Sequence, residues 1–157
     1  MDYPHGKDGA DYDVAEAINQ LTDGWKNAMG VTLVKATGSE VIAEITVGAA
    51  HLQPLGVVHG GVYSGLIETV ASVGAAVWAM QIGKFAVGLE NHTSFLRAVR
   101  GGTLRAIGKP LVRGQNTHVW EGEVRDDRER LVATGRVRLM LLDRDAALAG
   151  EKVTVKT

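Results

Sequence analysis

The chain has 157 residues, and its 17 lysines and arginines nearly balance 18 aspartates and glutamates, for a formal net charge of −1. This near-neutral charge argues against sequence-independent nucleic-acid binding, which requires a strongly basic surface. The absence of cysteine excludes disulfide bonds and thiolate metal sites. The length suits one domain with a hydrophobic core of ordinary size.

Neither end of the chain has the pattern of a packed element. Residues 1–12 are polar and rich in glycine, unlike a signal peptide, and are expected to form a flexible tail. The most apolar uncharged run, residues 69–82, is too short to cross a bilayer. We therefore expect a soluble cytoplasmic protein that has no membrane partner, with one domain over residues 13–143 and a C-terminal tail over residues 144–157.

One helix and one hairpin are predicted in the first third of the chain. Apolar residues recur at helical spacing over residues 13–29 and stop at Gly30, which indicates an amphipathic helix. Residues 31–35 and 41–47 alternate and are rich in β-branched side chains. They predict two strands joined by a short turn.

A long buried helix is predicted over residues 59–82. Its apolar residues follow a three-to-four residue spacing, and its other faces carry alanine, glycine and serine. Glu68 is the only residue between His59 and Lys84 that is charged at neutral pH, and burying a carboxylate is costly. Ser64, Glu68 and Ser72 are four residues apart, so they share one narrow polar face.

Four strands are predicted after the helix, over residues 85–99, 103–112, 117–124 and 131–142. The last strand alternates most clearly, with Ala133, Val137 and Leu139 on one face and Arg136 and Arg138 on the other. Short turns between these strands predict an antiparallel meander without crossovers. The order of elements indicates an α+β fold in which the helix covers one antiparallel sheet, and the apolar surface left over predicts at least a dimer.

Chemistry is indicated where His59, Gly60 and Gly61 meet the start of the central helix. The first amides of a helix lack internal partners and carry the positive end of its dipole, and glycine leaves them accessible. A carbonyl oxygen bound at the Gly60 or Gly61 amide would be polarised, and Glu68 could attack that carbonyl or activate a water. The alternative stays equally open: the glycines only permit close packing, and Glu68 forms an ion pair with an arginine.

The run "QPLGVVHGGVYSGLIETVAS" at residues 53–72, with "ENHTSFLRAV" at residues 90–99, resembles the hotdog-fold acyl-CoA thioesterases. It is similar to the 4-hydroxybenzoyl-CoA and phenylacetyl-CoA thioesterase-like enzymes, of the branch that uses a helix glutamate. The resemblance covers residues 25–142. It implies a sheet wrapped around the central helix, subunits that form a dimer or a dimer of dimers (a homotetramer), and active sites at subunit interfaces.

The resemblance also implies roles for individual residues. Glu68 would be the nucleophile or general base, and the Gly60 amide would activate the carbonyl. Gln53 would assist at the thioester or hydrolytic stage, Ser72 would orient water, and His59 would shape the turn. Relatives often have threonine at the position of Ser72, and many have aspartate at the position of Glu68. No cofactor is implied, since coenzyme A is part of the substrate, and an aryl acyl group is favoured, which fits aromatic compound metabolism.

Contacts with coenzyme A are expected from polar and basic residues near strand ends and from the turn, namely Gly61, Arg97, Arg100, Arg113, Asn116 and Thr117. A solvated sheet edge explains these residues equally well. The five histidines show no metal-ligand spacing, so no metal site is expected, and His92 and His118 are interpreted as ordinary polar residues on strands. Three tryptophans are interpreted as core or interface anchors, one of which lines an acyl pocket.

Other functions remain as alternatives. Ser64 is displaced from the centre of a G-x-S-x-G serine-hydrolase motif, and the short motif of hotdog hydratases is absent. A non-catalytic acyl-CoA-binding or sensing module would keep the glycine turn but would not need Glu68. A purely structural dimer would bind no coenzyme A ligand.

Overall fold

The computed structural model describes residues 12–152, so most of the predicted N-terminal tail and the last five residues of the predicted C-terminal tail lie outside the described residues. In chain order the elements are α1 (Ala15–Asn19), α2 (Trp25–Ala28), β1 (Thr32–Ala36), β2 (Val41–Thr46), a 3₁₀ turn (Ala49–His51), α3 (Gly60–Gln81), β3 (Lys84–Phe95), β4 (Thr103–Arg113), β5 (Thr117–Arg125), β6 (Leu131–Asp143), β7 (Ala147–Leu148) and β8 (Glu151–Lys152). The two shortest strands pair with each other.

The central helix is confirmed. α3 spans 22 residues and lies against the six-stranded sheet, with Leu66, Ile67 and Val70 fully buried. By length and composition α3 could also cross a membrane, but 56% of its most apolar window is buried inside this fold. The helix is therefore the core around which the sheet packs, as the α+β interpretation requires.

The strand order corrects one part of the prediction. The sheet runs β1-β2-β4-β5-β6-β3 with antiparallel pairs, so the hairpins β1–β2, β4–β5 and β5–β6 are confirmed. The predicted β3–β4 hairpin is wrong, because β3 pairs with β6 at the far edge and β4 pairs with β2. β2 and β4 bury every second residue along their paired stretch, whereas no residue of β3 is fully buried, so β3 is suited to an edge.

The N-terminal helix is also corrected. α1 and α2 are two short helices in place of one, and they are separated by Gly24, whose φ of 88° lies in the left-handed region that glycine adopts readily. α1 is held to the sheet by Asn19, whose side chain bonds the backbone N–H and C=O of Leu33 at 2.9 and 2.8 Å. Helical spacing of apolar residues alone therefore overestimated the length of this helix.

His118 differs from its interpretation as an ordinary polar neighbour. It lies on β5 facing α3, is fully buried, and has no hydrogen-bond partner on either ring nitrogen. Its ring lies edge-on to Trp78, with centroids 4.8 Å apart. Burial, together with the charge of Arg113, lowers the pKa of His118, so folding favours the neutral form of this ring.

The buried ring predicts that stability falls at acidic pH. Below about pH 6.5 the unfolded chain takes up a proton at His118 more readily than the folded chain, so the free energy of unfolding decreases by up to about 1.4 kcal/mol for each pH unit of acidification. Urea unfolding at pH 7.5 and 5.5 should show a steeper loss for the wild type than for His118→Leu. His92→Leu, at an exposed position on β3, serves as the control. Equal losses in wild type and His118→Leu would contradict this assignment.

Candidate active site

Glu68 lies on the face of α3 that is turned towards β3, and each of its carboxylate oxygens accepts one side-chain hydrogen bond. Ser72 Oγ donates to Oε1 at 2.9 Å from the next turn of the helix. Asn91 Nδ2 donates to Oε2 at 2.8 Å from β3. Within residues 12–152 no lysine or arginine forms an ion pair with Glu68. The structure thus gives no support to the alternative of a Glu68–arginine pair.

Besides the hydrogen bond from Asn91, β3 provides space for this carboxylate at Gly88, which has no side chain. A Cβ on Gly88 would lie 2.6 Å from Glu68 Oε1, so the glycine leaves the space that the carboxylate occupies. The pairing with β6 shifts register between Gly88 and Glu90, with Leu89 bulged and 49% exposed. The sequence interpretation did not identify Gly88 or Asn91, because their relation to Glu68 depends on the position of β3 in the sheet.

The His-Gly-Gly turn caps the start of α3. His59 is the N-cap residue, and its Nδ1 accepts a hydrogen bond from the Gly61 amide at 2.9 Å. The Gly61 amide is therefore satisfied, while the Gly60 amide finds no acceptor among the described residues. Phe95 covers this point: a Cβ on Gly60 would lie 2.5 Å from Phe95 Cε2. Of the two glycine amides, that of Gly60 is the one available to a ligand.

A cleft of about 270 Å³ opens beside this amide, lined in part by Gly60, Tyr63, Phe95 and Arg97. Tyr63 and Phe95 have ring centroids 6.0 Å apart, and Phe95 is 56% exposed. Burial raises the pKa of Tyr63 to about 12, so its phenol is neutral at physiological pH. The sequence interpretation identified Arg97 in this region but neither aromatic residue.

Gln53 and Arg100 shape the loop that leads into α3. Gln53 Oε1 accepts a hydrogen bond from the Leu55 amide at 2.8 Å. Arg100 donates from Nη1 to the carbonyls of Leu55 and Gly56, at 3.1 Å each. Arg100 and Arg97 therefore lie at the Gly60 end of the molecule.

The remaining residues expected to bind coenzyme A lie at the other end of the sheet. Arg113 ends β4 and donates to the Gly38 carbonyl at 3.2 Å, and Asn116 and Thr117 lie in the following turn and at the start of β5. β4 is 11 residues long, which corresponds to about 35 Å. One chain therefore does not bring the two groups of residues together.

The two central features of the candidate site are also separated within one chain. Gly60 and Glu68 are eight residues apart on α3, which corresponds to about 12 Å along the helix axis. A carbonyl oxygen on the Gly60 amide would leave its carbon out of reach of the same chain's Glu68 carboxylate. One chain therefore contains both an amide that can bind a carbonyl oxygen and a carboxylate that can act on a carbonyl carbon, but the two cannot act on the same carbonyl group.

The tryptophans occupy three different environments. Trp120 is fully buried against Gly74, and Trp78 contacts His118, so both belong to the packing around α3. Trp25 contacts Gly65, one turn before Glu68, and is 43% exposed. Of the three, Trp25 is the one whose ring lies beside the candidate site.

Comparison with known proteins identifies the family. The sequence profile of the thioesterase superfamily matches residues 55–133, half of the chain. A protein of Mycobacterium tuberculosis named "Putative esterase" is 40% identical over 103 residues, covering 64% of this chain and 74% of the relative. The 1,4-dihydroxy-2-naphthoyl-CoA hydrolase of Escherichia coli is 31% identical over 130 residues, covering 81% of this chain and 93% of the relative.

Solved structures agree with this family. The crystal structure of a thioesterase from Haemophilus influenzae matches with a TM-score of 0.77 and 30% identity, covering 82% of this chain and 90% of that chain. This match, together with the six-stranded antiparallel sheet against one long helix, confirms the predicted hotdog architecture. Taken together, the matched profile, the relatives and the wrapped helix establish that this chain belongs to the thioesterase superfamily of hotdog-fold hydrolases.

Proposed function

We propose that this protein hydrolyses an acyl-CoA thioester to the free acid and coenzyme A, with Glu68 as nucleophile or general base. The observation that carries the proposal is the Glu68 carboxylate, which is held through both oxygens by Ser72 and Asn91 on a helix that starts with an unsatisfied amide. A carboxylate oriented in this way can act on a carbonyl carbon, and the amide can stabilise the oxyanion.

Two reaction courses fit this arrangement. In the first, Glu68 adds to the thioester carbonyl, the carbon–sulfur bond breaks, coenzyme A leaves as its thiolate, and water hydrolyses the acyl-enzyme anhydride. In the second, Glu68 takes a proton from water as the hydroxide adds to the carbonyl, and coenzyme A leaves from the tetrahedral intermediate. Gln53 and Ser72 assist in either course, and neither course uses a metal or redox cofactor.

The proposal includes a second copy of the chain, because one chain separates Gly60 from Glu68 by about 12 Å. β3 lies at the open edge of the sheet, and Leu89, Phe95 and the adjoining Leu96 are each about half exposed. Pairing of two β3 edges about a two-fold axis would continue the sheet and place the start of one α3 beside Glu68 of the other. Each site then combines Glu68 of one subunit with the Gly60 amide of its partner.

Replacing Glu68 tests the proposed chemistry. Glu68→Gln keeps the size of the side chain but removes its nucleophilic and basic character, so kcat should fall at least about a hundredfold. Release of free thiol should be followed on 4-hydroxybenzoyl-, phenylacetyl-, hexanoyl- and palmitoyl-CoA. Glu90→Gln is the matched control, since Glu90 lies on β3 and pairs with Arg138 at 3.1 Å.

The outcomes of this assay separate the alternatives. Activity of Glu68→Gln within about threefold of wild type would show that the assigned mechanism is wrong. A wild type that binds acyl-CoA tightly without releasing thiol would indicate a binding or sensing module. No binding of any coenzyme A ligand would indicate a structural role.

An aryl acyl group is the proposed substrate class. Trp25 supports it, because this half-exposed indole lies one turn from Glu68 where a flat ring can stack on it. The relative from Escherichia coli is named for an aryl-CoA substrate, 1,4-dihydroxy-2-naphthoyl-CoA. These two observations favour an aromatic thioester over a fatty acyl one.

Trp25→Ala tests this preference. Loss of an aromatic contact should lower kcat/KM for 4-hydroxybenzoyl-CoA by about threefold to tenfold more than for hexanoyl-CoA. Leu21→Ala, at an exposed apolar residue just before α2, is the control. An equal decrease for both substrates would assign Trp25 to packing and remove the support for an aryl pocket.

A further inference from the structure

We propose that Asn91, supported by Thr93, is the residue that positions the Glu68 carboxylate for reaction; this inference rests on the proposed thioesterase function. Thr93 Oγ1 donates to Asn91 Oδ1 at 2.6 Å. Asn91 Nδ2 in turn donates to Glu68 Oε2 at 2.8 Å and to the Ser64 carbonyl at 3.1 Å. The three side chains form a relay from the edge strand to the carboxylate.

The chemistry of the partners fixes which way the Asn91 amide points. A carboxylate and a backbone carbonyl only accept hydrogen bonds, so the side of the amide that faces Glu68 and Ser64 must be its NH₂ group. Its oxygen then faces Thr93, whose hydroxyl donates to it. The reverse orientation would place one oxygen against two acceptors, so Glu68 and the Ser64 carbonyl select the orientation, and Thr93 holds the amide in it by donating to the oxygen.

The β-bulge in β3 makes this arrangement possible. Gly88 and Asn91 are three residues apart, so in a regular strand their side-chain directions would be opposite. The register shift after Gly88 inserts one extra residue: Gly88 pairs with Leu139 and Asn91 with Val137, two residues that both face the core. Gly88 and Asn91 consequently both face α3, the first leaving room for Oε1 and the second donating to Oε2.

The relay restrains the orientation of the Glu68 carboxylate, which a single hydrogen bond from α3 does not fix. Ser72 holds one carboxylate oxygen from within α3, which leaves the carboxylate free to rotate about that contact. A second donor on the other oxygen, from a different element, fixes the plane of the carboxylate. Reaction rates depend steeply on such orientation, so loss of the Asn91 amide should affect the chemical step more than substrate binding.

Kinetics of Asn91 and Thr93 variants test the proposal. Asn91→Leu should lower kcat about tenfold or more with KM nearly unchanged, and Thr93→Val should lower kcat by a smaller factor of about threefold. Thr93→Ser, which keeps the hydroxyl, should restore kcat to the wild-type value. Ser94→Ala removes a hydroxyl from the next residue of the same strand, on the opposite face, and should have no effect.

Thermal melting and sedimentation of each variant establish that fold and assembly are retained. A kcat for Asn91→Leu within about twofold of wild type, while Glu68→Gln is inactive, would overturn the positioning role and leave the proposed function intact. A raised KM with unchanged kcat would also overturn it, since Asn91 would then contact substrate. An inactive wild type would remove the proposed function and this inference together.

Discussion

The structure depends on one constraint: the carboxylate of Glu68 lies on a helix that carries no other acidic or basic side chain. Such a group is stable near the core only if hydrogen bonds replace its lost hydration. Ser72 supplies one bond from the same helix, and Asn91 supplies the other from β3. The bulge of β3 and the absence of a side chain at Gly88 leave the space that the Glu68 carboxylate occupies.

The strand that holds the carboxylate, β3, is also an edge strand of the sheet. Because β3 lies at the edge of the sheet, the carboxylate remains near the surface, where a substrate can reach it. The same edge presents unpaired backbone groups and half-exposed apolar residues such as Leu89 and Phe95 to a second copy. The candidate site and the proposed subunit contact therefore share one element, and the proposed contact would bring together Gly60 and Glu68, which one chain keeps about 12 Å apart.

The sequence was sufficient to predict features of the structure that are local and periodic. The spacing of Leu66, Val70 and their neighbours predicted α3 almost to the residue, and the four-residue spacing of Glu68 and Ser72 predicted their shared polar face. Turn residues predicted three of the hairpins.

Features that depend on distant parts of the chain were not predictable in the same way. The pairing of β3 with β6, the approach of Asn91 to Glu68 and the ring of Phe95 over Gly60 all follow from the strand order. The break at Gly24 was hidden because the apolar spacing continues across it. His118 was interpreted as an ordinary polar residue on a strand, although alternation along β5 places it on the buried face with Trp120.

The most direct test of the central claim is whether Glu68 and Gly60 act on one thioester from different subunits. Both variants of the test carry Phe95→Ala, which removes the ring over Gly60 and makes room for a larger residue there. The first variant adds Glu68→Gln. The second adds Gly60→Pro, which removes the backbone N–H at the first position of α3, where a helix accepts proline. Each variant alone should be inactive. When the two variants are mixed at random, about half of the dimers contain one subunit of each kind, and one of the two sites in such a dimer is intact. About a quarter of the activity of the Phe95→Ala protein should therefore return. Mixed dimers that stay inactive would contradict a shared site.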